Sequence, residues 1–252
     1  MSRMYDVSSS VLASTLRSWR GSAGSKTVVQ PQKPIKLYDR ENCPKCRLVR
    51  EALTELNLDV EIYPCPEGGH RFYDEIRSQT PNVELPFLVD ENTGEQAMGV
   101  HGIATYLYRQ YRGVAAPQRY AGEGITALSS QLASLTRGSH GKTVKPARQP
   151  QQLMTLYSFE SSPYTRLVRE RLCEYEIAYR LINLGKQQLA DVGPANARLS
   201  LKPYRPLENT KRWDFWQAHG NVQVPYLVDP NSDEDLFESA DILEYLDRTY
   251  GQ

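Results

Sequence analysis

Cys43 and Cys46 form a Cys-Pro-Lys-Cys tetrapeptide whose residue types and spacing suit thiol chemistry. The apolar stretch Ile35-Lys36-Leu37-Tyr38 precedes it and a helical pattern follows, so we expect the first thiol to lie at the start of a helix. There the helix dipole and the unpaired backbone N–H groups favour the thiolate and lower the thiol pKa. The second thiol, three residues on, lies on the same face of the helix. It could therefore resolve a mixed disulfide formed by the first thiol.

The residues around the two thiols support this interpretation. Pro44 suits the first helical position, because a proline lacks the N–H that would have no partner there. Lys45 and Arg47 add positive charge nearby. Two alternatives are a structural zinc half-site and a pair of ordinary buried thiols. Zinc normally needs a second pair of ligands, and the only other cysteines, Cys65 and Cys173, stand alone in the sequence. We therefore predict redox or glutathione chemistry and no metal.

Each of the two isolated cysteines has its own interpretation. Cys65 lies in a loop after the second predicted strand, with a proline on both sides. It is either a redox partner or a structural residue. Cys173 lies in the middle of a predicted helix, where a small apolar core residue is the simplest explanation.

Composition limits the classes of function. The chain has 252 residues with 30 basic and 30 acidic side chains, so its formal net charge gives no support for binding nucleic acid or an acidic membrane. No apolar run approaches the roughly 18 residues that a membrane-spanning helix needs. Four cysteines, two of them in a reactive spacing, suit a reducing compartment better than a disulfide-bonded secreted fold. We therefore expect a cytoplasmic protein.

The chain contains an internal repeat. Residues 37–51 match residues 156–170 at an offset of 119 (162 − 43), and this places Ser162 and Thr165 where the first copy has its two cysteines. Residues 85–90 match residues 224–229 at an offset of 139 (225 − 86). The second copy has therefore gained about 20 residues between these two motifs (139 − 119), and the chain is a tandem duplication.

The repeat extends upstream of the first strand of each copy. Residues 12–28 have a counterpart in residues 132–144. By composition alone, the serine-rich and mostly basic first thirty residues resemble an organelle transit peptide. A cleavable leader has no reason to recur in the middle of a chain. We therefore expect a helix and an extended lead-in that belong to the fold, with Val11, Leu12 and Leu16 buried at a domain interface.

The pattern of each copy predicts strand, helix, strand, helix, two strands and a last helix. In the first copy these elements are Ile35–Tyr38, Lys45–Leu56, Val60–Tyr63, Arg71–Ser78, Phe87–Val89, Gln96–Met98 and Gly102–Tyr111. This order predicts an α/β fold in which a small mixed four-stranded sheet is covered by helices, present twice. We expect one domain over residues 1–119 and another over residues 120–252, with residues 113–123 as the linker.

Both copies, over about 35–112 and 153–250, resemble the glutaredoxin-like N-terminal domain of glutathione S-transferases, which has the thioredoxin-like fold. The Cys-Pro-Lys-Cys turn resembles the active-site turn of glutaredoxins and thioredoxins. Leu85-Pro86 and Val224-Pro225 look like the cis-proline motif of that family, in which the residue before the proline pairs with the cysteinyl backbone of glutathione. The resemblance implies that these four residues bind glutathione. The alternative is that each proline merely begins an edge strand.

The motif before the last helix differs between the copies. Glu238-Ser239 resembles the acidic or amide residue and serine that hold the γ-glutamyl group of glutathione in this family. Ser239 could also be only the N-cap of the helix. The first copy has Gly99 and Val100 instead, followed by His101, which either contacts a ligand or is simply solvated. The resemblance therefore implies a better glutathione pocket in the second copy.

The active-site turn differs in the opposite direction. Ser162 replaces the first cysteine, so the second copy cannot exchange disulfides. This serine resembles the one with which some transferase classes hydrogen-bond the glutathione thiolate. The whole chain also resembles tandem proteins of bacteria and plant plastids that contain this transferase domain.

Three functions follow from these observations. The leading hypothesis is a glutathione-linked thiol–disulfide oxidoreductase in which Cys43 attacks a disulfide or glutathionylated substrate and Cys46 resolves the intermediate. The second is a glutathione transferase that uses Ser162, Val224, Glu238 and Ser239 on a small electrophile. The third is a non-catalytic redox-sensing or protein-binding module. The aromatic insertion within residues 185–219 forms either a lid, a surface for a protein partner, or packing between the domains.

Overall fold

Each half of the chain folds in the predicted order of elements in the computed structural model, which describes residues 3–26, 29–121, 125–195, 198 and 203–252. Parts of three predicted segments lie outside the described residues: Thr27 and Val28 of the lead-in, residues 122–123 of the linker, and residues 196–197 and 199–202 of the insertion. The elements of the first half are α1 (Arg3–Leu16), β1 (Ile35–Asp39), α2 (Pro44–Leu56), β2 (Val60–Pro64), α3 (Arg71–Gln79), β3 (Phe87–Asp90), β4 (Glu95–Met98) and α4 (Gly99–Arg112).

The second half repeats this order. Its elements are α5 (Ile125–Leu135), β5 (Met154–Ser158), α6 (Pro163–Glu174), β6 (Tyr179–Asn183), α7 (Lys211–His219), β7 (Tyr226–Asp229), β8 (Glu234–Phe237) and α8 (Ser239–Thr249). The predicted strands and helices of the first copy agree with the structure to within one residue, except that the last helix begins at Gly99 rather than Gly102. The predicted α/β class with thioredoxin-like halves is confirmed.

The two halves share one eight-stranded sheet, which the sequence did not predict. The strand order is β4-β3-β1-β2-β6-β5-β7-β8. The central strands β2 and β6 pair antiparallel, with Val60 opposite Leu181 and Ile62 opposite Tyr179. Because these strands are equivalent in the repeat, an approximate twofold axis passes between the two halves. Pairing them also removes two exposed sheet edges.

The local sequence explains why α2 begins and ends where it does. Cys43 is its N-cap and Pro44 its first residue, and the left-handed Asn57 ends it. The apolar residues of the helix recur at helical spacing and all are buried: Leu48, Val49, Ala52, Leu53 and Leu56. They pack in the main core together with Ile35 and Leu37 of β1. The buried face of α2 thus fixes the direction in which its N-terminus presents the thiols.

The two lead-in helices are exchanged between the halves. Helix α1 packs on α6 of the second half, and α5 packs on α2 of the first half. The Ser10 hydroxyl donates to the Pro163 carbonyl at 2.8 Å, and the equivalent Ser130 hydroxyl donates to the Pro44 carbonyl at 2.8 Å. The predicted helical lead-in is therefore present. The lead-in helix of each copy covers the helix that follows the first strand of the other half, α6 or α2.

The predicted buried face of α1 was wrong. Leu12 and Leu16 are 49% and 40% exposed, and Val11 is only half-buried. The residues that face the protein are small: Ser10, Ala13 and Ser14 are each fully buried. Their small side chains allow the helix backbone to lie close enough for serine hydroxyls to reach carbonyl groups of the neighbouring turn.

The insertion packs on the body of the protein. Phe215 of α7 is buried against Tyr157 and Tyr226, with ring centroids 5.0 and 5.5 Å away. Lys211 reaches across to the first half and donates to the Asn57 carbonyl at 2.8 Å. These contacts favour the packing interpretation of the insertion over a lid.

Within the described part of the chain, none of the helices combines the length and apolarity needed to cross a membrane.

Candidate functional site

The dithiol turn is built by the first residues of α2. Cys43 has extended backbone angles as the N-cap, and its sulfur accepts the Cys46 backbone N–H at 3.4 Å. The Cys43 carbonyl accepts the Arg47 N–H at 3.0 Å, which begins the helical hydrogen bonding. The Cys43 sulfur therefore lies at the positive end of the helix, where a thiolate is favoured.

The environment separates the two thiols electrostatically. The pKa of Cys43 is lowered to about 6, first by the hydrogen bond from the Cys46 side chain, then by the backbone N–H groups of Cys46 and Lys45 and the charge of Arg40. Burial opposes this shift. Cys46 is fully buried, and burial first and the Cys43 thiolate second raise its pKa well above the ordinary value. Both cysteines are free thiols, and Cys43 is the more exposed.

A cavity of about 370 Å³ opens at the dithiol turn. Cys43, Cys65 and Leu85 all line it, so the structure brings together three residues that the sequence had singled out. The other residues that line it are Arg40, Pro66, Glu67, Gly68, Gly69, Tyr73 and Glu84. Cys65 is 3% exposed, and burial is the first cause that raises its pKa. In the described ranges no three His, Cys, Asp or Glu side chains converge to hold a metal ion.

Arg40 is a candidate site residue that the sequence analysis missed. It follows the last residue of β1 and lines the cavity beside Cys43. Its Nη1 pairs with Glu67, whereas its Nε is buried and has no hydrogen-bond partner among the described residues. A signal was present in the sequence, because a basic residue at the end of a buried strand and three residues before Cys43 must lie near the thiol. This guanidinium could bind a carboxylate of a substrate.

Both predicted cis-prolines are cis in the structure, at Leu85-Pro86 and Val224-Pro225. The first of them adjoins the cavity of Cys43, since Leu85 lines it. His101 does not reach this cavity. It lies on the outer side of α4, where it lines a separate cavity of about 580 Å³ together with Thr105 and Arg109. A contact between His101 and a ligand at the dithiol therefore has no support in this geometry.

In the second half, the serine at the equivalent position is closed off. Ser162 is 2% exposed and caps α6, accepting the Thr165 N–H at 3.3 Å. Its hydroxyl also lies 2.9 Å from the Thr165 hydroxyl. The Ser14 hydroxyl of α1 donates to the neighbouring Ser161 carbonyl at 2.8 Å, so the exchanged helix covers this turn. Ser162 acts here as a helix cap, and its predicted role beside a glutathione thiolate stays a prediction.

The closing motif of the second half holds an unpaired hydroxyl. Ser239 is 1% exposed, and its Oγ makes no hydrogen bond to any described residue. The N-cap of α8 is Glu238 rather than the serine. Glu238 accepts a hydrogen bond of 2.6 Å from Gln223, the residue before Val224. The cis-proline loop and the closing motif therefore meet, with a free hydroxyl at the start of a helix where a carboxylate would be stabilised.

Comparison with known families agrees with this geometry. The model of the family described as glutathione S-transferase, N-terminal domain, matches residues 37–115 and residues 156–252. These two segments correspond to the two copies of the repeat. No curated protein and no solved structure matches the chain.

Proposed function

The chain belongs to the glutathione S-transferase N-terminal domain family, and from this premise we propose that it is a glutathione-linked thiol–disulfide oxidoreductase acting through Cys43. The Cys43 thiolate attacks one sulfur of a disulfide or glutathionylated substrate, and the other sulfur leaves as a thiolate that takes up a proton. Cys46 then attacks the Cys43 sulfur of the mixed disulfide and releases the bound thiol. Two glutathione molecules reduce the resulting Cys43–Cys46 disulfide and leave as glutathione disulfide.

One observation carries this proposal. A half-exposed thiol with a pKa of about 6 lines a cavity, and a buried thiol with a raised pKa lies one helical turn behind it. At neutral pH the first is the attacking thiolate and the second remains protonated until a mixed disulfide forms. This division is what disulfide exchange through two cysteines requires.

Three groups of residues in or beside this cavity could bind glutathione. The backbone of Leu85, before the cis-proline and at the edge of this cavity, would pair with the cysteinyl backbone of glutathione. Arg40 offers an unpaired Nε to a carboxylate. The first half has no serine for the γ-glutamyl group. The Gly99 N–H already donates to the Pro86 carbonyl at 3.0 Å, so the backbone N–H groups of α4 from Val100 onward would bind that carboxylate.

The test is the reduction of a glutathionylated peptide and of a protein disulfide, each with glutathione and glutathione reductase. We expect Cys43→Ser to abolish both reactions. Cys46→Ser should retain turnover of the glutathionylated peptide, because that reaction needs only the attacking thiol, and lose reduction of the protein disulfide. Cys173→Ser, which removes a buried thiol outside the cavity, is the matched control. Activity that survives Cys43→Ser would contradict the proposal.

A glutathione transferase reaction on a small electrophile in the second half is the second candidate. The observation in its favour is the buried, unpaired Ser239 hydroxyl beside the loop that carries the cis bond at Val224-Pro225. Conjugation activity that persists in the Cys43→Ser, Cys46→Ser double variant and is lost in Ser239→Ala would select this candidate. The buried state of Ser162 argues for the oxidoreductase.

The remaining predictions belong to the same proposal. We propose a reducing cytoplasmic setting, where the four cysteines stay free, and two functional units over residues 1–119 and 120–252. If neither disulfide reduction nor conjugation is found, the protein is a non-catalytic redox-sensing or protein-binding module.

A further inference from the structure

A cluster of buried charges lies at the approximate twofold axis, and none of its members lines the cavity of Cys43. It contains six arginines and five carboxylates, all at most 4% exposed: Arg17, Arg47, Arg50, Arg137, Arg166, Arg169, Asp39, Glu41, Glu51, Glu160 and Glu170. The charges of this set do not balance, since 6 − 5 leaves one positive charge. Two more carboxylates lie at the edge of the set and have other partners: Glu174 pairs with Lys145, and Asp6 lies 3.6 Å from His140.

Most members of the cluster are well paired. Glu51 accepts two hydrogen bonds from Arg17, at 2.8 and 2.6 Å. Glu170 accepts the equivalent pair from Arg137, at 2.7 and 2.6 Å.

At the centre, Arg50 and Arg169 each contact both Glu41 and Glu160 at 3.0–3.3 Å. Arg50 also pairs with Asp39. These pairings use four of the six arginines.

The two remaining arginines, Arg47 and Arg166, are equivalent in the repeat and poorly paired. Arg47 is 2% exposed and has no ion pair, and its Nε and Nη1 are buried without a hydrogen-bond partner among the described residues. Arg166 donates through Nη1 to the Ser10 carbonyl at 2.8 Å, but its Nε is also buried and unpartnered. The pKa of Arg166 is lowered to about 9, first by burial and next by the charge of Arg47. The charge of Arg47 thus disfavours the charge of Arg166, while the charge of Glu160 attracts both guanidinium groups.

An unpaired guanidinium in the interior of a protein is costly, because buried charges normally need both a counter-charge and hydrogen bonds. Among the described residues no carboxylate contacts Arg47, although the charges of Glu160, Glu41 and Glu51 attract it, and two of its N–H groups lack partners. One monovalent anion would supply both, since it would accept the free N–H groups and cancel the surplus charge. The anion must be small, because α1 and α5 close the cluster and both arginines are 2% exposed.

We propose that a chloride-sized monovalent anion binds between Arg47 and Arg166 at the approximate twofold axis. It bridges the two halves by accepting hydrogen bonds from the equivalent arginine of each. The site is separate from the thiol cavity, which neither arginine lines.

The first test is crystallographic and uses the full chain. Crystals grown in sodium bromide should show an anomalous peak within hydrogen-bond reach of Arg47 Nε and Arg166 Nε. Among the described residues, Glu160 Oε1 is the one carboxylate oxygen of the cluster that is buried without a hydrogen-bond partner. A map in which Arg47 has turned onto this oxygen, or in which the site holds only water, would overturn the proposal.

The second test measures stability in solution. Urea unfolding is followed in sodium chloride and in sodium gluconate at equal ionic strength, because gluconate is too large for the closed site. We expect the unfolding midpoint in chloride to rise, relative to gluconate, with each tenfold increase in salt concentration, as binding to the folded state requires.

Two variants separate the buried site from general salt effects. Arg47→Met should abolish the chloride-minus-gluconate difference. Arg112→Met, which makes the same change on the exposed end of α4, should retain it. A wild-type protein with no such difference, or an Arg47→Met variant that keeps it, would refute the anion site. If Arg47→Met does not fold, the bromide map and the wild-type comparison decide the question.

Discussion

At the scale of single residues, the start of α2 gives two cysteines of one tetrapeptide opposite acid–base behaviour. Cys43 receives N–H groups and has a pKa near 6, while Cys46 is enclosed by the core and next to the Cys43 sulfur. The same helix start in the second half carries Ser162 and Thr165, whose hydroxyls hydrogen-bond each other. The fold of the turn is therefore independent of its chemistry, and only the first half carries thiols there.

The lowered pKa gives a direct prediction for alkylation. Iodoacetamide should modify Cys43 at a rate that follows ionisation near pH 6 and is level above about pH 7.5, because the thiolate is the reactive form. Mass spectrometry of peptides after short labelling identifies the modified cysteine, and Cys173→Ser serves as control. Earlier labelling of Cys46 or Cys173, or a rate that still climbs between pH 8 and 9, would show that the helix start does not activate this thiol.

A second residue-scale prediction concerns Asp39 at the end of β1. Burial, opposed in part by the charge of Arg50, raises its pKa from 3.8 to about 6. The folded protein therefore holds this proton more tightly than the unfolded chain. The stability that Asp39 contributes is present below pH 4 and is lost as the pH rises through 6.

Asp39→Asn should remove this dependence on pH. We expect the free energy of unfolding of the wild type, relative to the variant, to fall by about 1–3 kcal/mol between pH 4 and pH 7. Urea unfolding at both pH values measures it. Asp233→Asn, on an exposed turn, should show no comparable change. A wild-type-minus-variant difference that is constant with pH would mean that Asp39 is ionised throughout.

At the scale of elements, the exchanged helices are held by small residues. Ala13 and Ala133 are equivalent in the repeat and both are fully buried, whereas the leucine before each is about half exposed. The leucine side chains of α1 and α5 are therefore largely exposed, and serine hydroxyls hold the inner faces of these helices to the first turns of α6 and α2.

A larger side chain at the buried face of α1 should destabilise the protein more than a smaller side chain at one of its exposed leucines. Ala13→Leu overfills a closed contact, and we expect it to lower the free energy of unfolding by about 1–3 kcal/mol. Leu12→Ala removes a side chain that is half exposed and should change it by less than about 0.5 kcal/mol. Denaturant unfolding of both variants checks this. The opposite order of effects would place the leucine, and not the alanine, at the interface.

The sequence predicted the elements and missed how the two copies join. Strands and helices were visible because each carries its own apolar period, and the thiol site because its residues are neighbours in sequence. The repeat shows that α1 and α5 are equivalent, but it does not show which half each one packs on. The pairing of β2 with β6 was equally hidden, since an edge strand and a central strand can share one apolar pattern. Arg40 was missed because its role depends on a cavity that forms only in three dimensions.

At the scale of the whole molecule, the thiol site of the first half depends on the second copy. Asn42, beside Cys43, donates to the Gly138 and His140 carbonyls at 2.9 and 3.0 Å. Glu67, which lines the cavity, pairs through its backbone with the Lys142 carbonyl at 2.7 Å. The lead-in of the second copy therefore supports the turn and the loop that surround the dithiol. We infer that the second copy of the repeat stabilises the conformation of the residues around Cys43 in the first copy.

Because the lead-in helices are exchanged, deleting α1 from the first half should destabilise α6 in the second half. A chain that begins at Arg17 lacks α1. It therefore lacks the Ser10 hydrogen bond to Pro163 of α6, the Ser14 hydrogen bond to Ser161 before α6, and the Ser10 carbonyl that accepts from Arg166. These three buried bonds contribute roughly 2–4 kcal/mol together. We therefore expect a lower denaturation midpoint and faster amide exchange in α6, at the far end of the sequence.

Helix α2 of the same half as the deleted segment provides the internal control, because α5 covers it and is retained, although α1 also packs on α5. The loss of amide protection in α2 should therefore be smaller than in α6, and the alkylation of Cys43 should change little. Hydrogen exchange read by mass spectrometry resolves peptides from α2 and α6 in one experiment. If α2 loses as much amide protection as α6, α1 stabilises its own half as much as the other, and the proposed exchange of the lead-in helices is wrong. Protection lost mainly in α6 would show that each copy is completed by the other.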